Sequence, residues 1–161
     1  LLSTQLSRAN GAVEQIFDRS PLGPVSIDVT AAQIPWMLSL PTFDTGGSQY
    51  AWTESADGTA DTVIASTNIT RPAVGSTPAV AWRHQIVAPH AVGRLHVPAL
   101  PTAIAPFNAV PTDTVNGFVG LVKVPGGYDT IRANAFVTNG PDTLLPAAGR
   151  YVTSIFIQPR G

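Results

Sequence analysis

Three histidines, His84, His90 and His96, fall at an even spacing of six. Neutral imidazole is the commonest metal ligand, and neighbouring strands can bring such residues together. The plainer reading is that regular spacing across a turn at Pro89 carries no geometry, and that His84 packs beside Trp82 on one strand face. Four carboxylates also cluster in sequence: Asp44, Glu54, Asp57 and Asp61. A calcium loop needs several oxygens from one short segment, yet the dense alternation of acids is missing and Asp57-Gly58 is a common turn pair. No metal, and no cofactor, is therefore expected.

Nucleophilic chemistry finds less support. A serine elbow of the Gly-Xaa-Ser-Xaa-Gly kind is absent, and Gly46-Gly47-Ser48 and Gly75-Ser76 read as turns. Gly126-Gly127 lacks the Lys and Ser/Thr of a phosphate cradle. With no cysteine, thiolate nucleophiles, thiolate metal sites and disulfides are all excluded. The expectation is a chain that is not an enzyme, with no catalytic residues.

The aromatic residues offer binding instead. Trp36, Tyr50, Trp52, Trp82, Tyr128 and Tyr151 could stack on sugar rings or fill a β-core. Trp52 and Trp82 alternate within strand-like runs and are expected in the core. Trp36 and Tyr128 lie beside Pro or Gly in presumed loops and are the candidate ligand-binding residues.

The elements that must position these residues are short. Fifteen prolines and fourteen glycines are spread through 161 residues, which forbids long helices nearly everywhere. Between them lie runs that alternate or are rich in β-branched residues, at residues 25–29, 34–40, 49–53, 62–70, 79–88, 93–97, 115–124, 131–138 and 151–157. This punctuation predicts about nine strands in an antiparallel β-sandwich of the Ig, fibronectin-III or jelly-roll kind. Residues 34–40, between Pro35 and Pro41, read as an edge segment. In residues 62–70, Val63, Ala65, Thr67 and Ile69 share a face. Trp82, His84 and Ile86 share another, and pairing with residues 115–124 would bury Trp82 between sheets with its ring nitrogen on a backbone carbonyl. Residues 98–111 read as an extended crossover between sheets, pinned by Leu95, Val97, Leu100, Ile104 and Phe107. Residues 1–21 read as an irregular or short-strand start, with a turn at Asn10-Gly11. The whole chain, 1–161, reads as one domain.

Composition narrows the setting. Charged residues make up 12% of the chain and the formal net charge is −1. Nucleic acid, which demands clustered cations, is a poor partner for singly spread arginines. No apolar run approaches the roughly 20 residues of a transmembrane helix. The chain opens at Leu1 without an initiator Met or a charged-then-apolar leader, and the expectation is a mature or excised piece of something larger. The lack of cysteine, and arginine in excess over lysine, point to a bacterial, exported source. Asn68-Ile69-Thr70 is then an incidental sequon.

Several stretches look familiar: Tyr50-Ala-Trp-Thr53, Ala60-Asp-Thr-Val-Ile-Ala65, Trp82-Arg-His-Gln-Ile-Val-Ala-Pro89, Leu95-His-Val-Pro-Ala-Leu-Pro101, Tyr128-Asp-Thr-Ile-Arg132 and Thr143-Leu-Leu-Pro-Ala-Ala-Gly-Arg-Tyr-Val152. In pattern they resemble fibronectin-III-like β-sandwich domains of bacterial exported proteins and lipoproteins, from about Leu22 onward. The resemblance implies architecture and carries no catalytic residues. Together these readings predict a non-enzymatic structural or binding module of an extracellular, periplasmic or cell-surface protein, whose partners are other protein domains or a surface polymer. A subunit of an ordered assembly (a virion or phage decoration protein, or a surface-layer component) is the alternative, with homo-oligomers its mark. A carbohydrate-binding module comes third.

Overall fold

The computed structural model describes residues 2–7, 9, 11–19, 23–24, 33–134 and 150–157. Among the described residues there are nine strands: β1 (Leu2–Ser7), β2 (Val13–Arg19), β3 (Thr42–Asp44), β4 (Gln49–Ala51), β5 (Thr62–Arg71), β6 (Val80–Pro89), β7 (Arg94–His96), β8 (Thr114–Lys123) and β9 (Arg150–Ile157). Six form one antiparallel sheet in the order β1-β2-β9-β8-β5-β6, and three form a second in the order β3-β4-β7. The protein is β-rich and antiparallel, as its Pro and Gly punctuation predicts.

The long strands follow the alternation of their side chains. Val63, Ala65, Thr67 and Ile69 of β5 are all buried. The residues opposite them on β6 are Ala88, Ile86, His84 and Trp82. On the other side of β5, the ladder to β8 sets Thr67 opposite Gly117. A Cβ at Gly117 would run into the Ser66 carbonyl, so this close approach of two backbones requires glycine. Tyr50 and Leu95 of the three-stranded sheet share a buried cluster with Val63, Ala65, Val119 and Leu121 of the six-stranded sheet. The Tyr50 and Thr67 hydroxyls are hydrogen-bonded within it.

Within residues 1–21 the short-strand alternative is what forms: β1 and β2 make a hairpin that reverses around Gly11. Residues 34–40 are not a ladder strand. Prolines at both ends deny it donors. It is instead a segment buried over residues 34–37 that bridges Met37 to Glu54 and hydrogen-bonds through Leu38 N to Thr53 O at 2.8 Å. The expected strand at 131–138 is corrected to a helix, α1 (Gly127–Asn134). Gly126 and Gly127 turn the chain with positive φ, and Asp129 and Arg132 suit the two ends of the helix dipole. Ile131 is buried with Val122 and Val124, against the partly buried Phe17, Ile64 and Val87. Residues 135–138 and the predicted strand at 25–29 lie outside the described residues.

Residues 98–111 do join the two sheets, from β7 to β8, through a 3-10 helix at Thr102–Phe107. Leu95 anchors it from the core, whereas Ile104 and Phe107 are each 45% exposed. Arg71 pins it instead. Its guanidinium donates to both carboxylate oxygens of Asp113 at 2.8 Å, to Pro106 O at 2.8 Å and to Asn108 O at 3.0 Å.

Candidate functional site

The chain between β4 and β5 and the chain between β6 and β7 meet over one acid. Glu54 accepts hydrogen bonds from the Trp52 indole N–H, from Gly93 N at 3.0 Å, and from His90 Nε2 at 3.0 and 3.2 Å. Its side chain is 2% exposed and that of His90 13%. The His90 amide in turn donates to Asp61 O at 3.0 Å, while Asp61 Oδ2 accepts the Val124 amide at 3.0 Å. The two carboxylates therefore tie three separate parts of the chain together.

Burial alone would push the Glu54 carboxyl upward. The hydrogen bonds from His90, Gly93 and Trp52, with the charge of His90, outweigh it and hold the group below its ordinary value. The acid stays ionised and His90 stays oriented. Beside the pair lies an open groove of about 480 Å³, whose other walls are Pro35, Ser55, Gly58 and Thr59 among small neighbours. Gly58 sits at φ +73, and a Cβ there would meet the Gln33 carbonyl, so the Asp57-Gly58 turn shapes this wall.

A carboxylate-oriented histidine is two-thirds of a nucleophilic triad. The nearest hydroxyl in sequence, Ser55 Oγ, instead accepts the Trp36 amide at 3.0 Å. Glu54 spends its oxygens on structural donors. The arrangement locks loops and leaves an open, largely apolar concavity beside them.

The residues singled out from sequence are dispersed. His84 lies on β6 opposite Thr67, and His96 on β7 opposite Gln49. Asp44 Oδ1 accepts the Gly46 amide at 2.9 Å, a local turn contact. Among the described residues, no group of three or more His, Asp or Glu is placed to hold a metal. Trp36 is corrected from an exposed contact to a core residue, 6% exposed, because its segment runs beside residues 53–55 and its side chain joins the cluster shared by the two sheets. Tyr128 is half-buried in the first turn of α1. Neither lines the groove.

Trp82 also needs correction. β8 pairs with β5 and β9, so among the described residues β6 is an edge strand, and Trp82 is only half-buried. Its ring stands edge-on to Phe107 at 5.5 Å, with the Arg71 guanidinium 4.9 Å from its centroid. The ring nitrogen is buried with no hydrogen-bond partner among the described residues. The indole is a wedge beneath the crossover.

Reading single residues missed the pairing of Glu54 with His90. Both were singled out, but they lie 36 positions apart, and only the strand order brings them together. Compared with protein-family models, curated proteins and solved structures, the chain matches none.

Proposed function

We propose that this chain is a non-enzymatic structural or binding module of an exported or cell-surface bacterial protein, folded as a β-sandwich of its two sheets. The observation that carries the reading is the use made of its acids. Glu54 is saturated by Trp52, Gly93 and His90, and Asp113 by Arg71 and Val110 N. Acids spent in this way hold loops in place, as a scaffold or binding module needs. The shared cluster of the two sheets supports the sandwich.

A carbohydrate platform is less favoured. Sugar stacking wants open ring faces, whereas Trp36 is buried and the Trp82 and Phe107 rings cross at 77°. The assembly-subunit reading keeps one specific support, the long β6 edge, on whose outer side no strand pairs among the described residues.

The test is protease added to intact cells making the full-length protein. An epitope within this chain should be lost while a cytosolic marker survives. Protection alongside that marker would overturn the exported reading. A hydrolase activity abolished by His90→Gln in a folded chain would overturn the non-enzymatic one.

A further inference from the structure

Among the described residues, the β6 edge carries few of the protections that edges usually have. It runs ten residues in unbroken register against β5, with no bulge. It contains no lysine, no acid and no proline before its last position. Among the described residues no strand pairs with its outer side. Long flat edges template pairing with another chain, and proteins blunt them unless they are used. The other edge of this sheet, β1, is six residues, and the edges of the smaller sheet are three each.

The strand is also complementary to itself. A two-fold axis normal to the sheet sets a second β6 antiparallel to the first and keeps matching faces on the same side. Centring that axis on His84 opposes the whole of residues 80–88 and leaves Pro89, which has no amide hydrogen, outside. Trp82 then lies opposite Ile86 of the second copy, Val80 opposite Ala88, and Arg83 opposite Gln85. Apolar residues meet apolar residues, and the one formal charge of the strand meets an amide instead of itself. Val80, 43% exposed, and the half-buried Trp82 gain cover. Burial pushes the His84 imidazole below its ordinary value, so the two rings on the axis meet uncharged at neutral pH.

We propose that two copies of this chain associate through β6, with His84 on the two-fold axis, joining the two six-stranded sheets into one continuous antiparallel sheet. The inference goes beyond the module reading and stands whether or not the chain is exported.

The absence of cysteine makes the test clean. Directly opposed residues of an antiparallel pair have Cα atoms about 4.5–5.5 Å apart, within disulfide reach. The unaltered chain should sediment as a dimer, and His84→Cys should form a covalent dimer under mild oxidation. Val87→Cys should not, because six residues of offset separate its two copies by about 20 Å. An equal mixture of Arg83→Cys and Gln85→Cys, both at exposed positions, should cross-link one variant to the other. That mixture carries the test if His84→Cys fails to fold. A monomer at every concentration, an open polymer larger than a dimer, or equal cross-linking at positions 84 and 87 would each overturn the proposal.

Discussion

Glu54 and His90 lie 3.0 Å apart, and the carboxylate of this pair also holds the Trp52 indole and the Gly93 amide. Three donors converge on a side chain that is almost wholly buried. Glu54→Ala strands all three and should cost about 3–5 kcal/mol, the range for breaking a buried charged network. Glu54→Gln keeps an acceptor oxygen and should cost about 1–2 kcal/mol. Urea midpoints at neutral pH compare the two, and equal losses would show that the negative charge, and not the retained acceptor oxygen, is what the three donors need.

The same pair sets the acid limb of stability. The unfolded Glu54 carboxyl takes up its proton near 4.5, and the folded one at a lower pH. Its stabilisation is therefore complete above 4.5 and drains as pH falls through the folded value. Asp113, held low chiefly by Arg71, adds a second contribution of the same sign, lost below 3.8. His84 acts earlier: burial lowers its folded value below 6.5, so the unfolded chain protonates first and stability falls as pH drops from 6.5. Thermal melts between pH 7 and 3 should show both declines. Glu54→Gln should flatten the lower one and His84→Gln the upper.

Arg71→Ala should release the crossover. It leaves the fully buried Asp113 carboxylate without its cation and frees the carbonyls of Pro106 and Asn108. A loss of about 3–5 kcal/mol is expected. Arg71→Lys should recover little of it, since an ammonium cannot reproduce the planar fork. Hydrogen exchange at Ile104 and Phe107 should rise in both variants, and unchanged exchange there would argue against the pinning role.

Trp82→Phe keeps a ring under the crossover and removes a buried N–H that has no partner among the described residues. Stability should change by less than about 1 kcal/mol. Trp82→Ala should cost about 2–3 kcal/mol, less than a fully buried Trp truncation. Chemical denaturation of the two variants separates a wedge from a core tryptophan.

Gly117→Ala should destabilise by about 1–3 kcal/mol, since the new methyl meets the Ser66 carbonyl and overpacking of this kind moves backbone. Gly75→Ala, with open space around its Cβ position, is the matched control. It bears only the φ penalty, which is about 1 kcal/mol.

The long strands were legible because alternation is a local property. Val63, Ala65, Thr67 and Ile69 announce a buried face in sequence and are all buried. α1 was illegible because Ile131 and Ala133 sit two apart, mimicking a strand, while the glycines that start the helix read only as a turn. Trp36 was misjudged through its neighbour: Pro35 rules out a ladder, but a segment without a ladder can still be buried. The bonds of Glu54 to His90 and of Arg71 to Asp113 span 36 and 42 positions. Such distances are set by strand order, which no local pattern encodes.

Strand order also fixes a timetable. β9, the last in sequence of the described strands, lies between β2 and β8. Until it arrives, the β1–β2 hairpin has no neighbour in the large sheet, while β8, β5 and β6 already pair with one another. The β1–β2 hairpin is made before the strands it docks on and joins the large sheet after them. A nascent chain carries it undocked until β9 emerges, and the closing step joins the sequence-distant partners Val13 and Phe156. Closure over so long a loop slows folding. A stop codon just before Arg150 would leave two disconnected pieces of sheet where the finished chain has one.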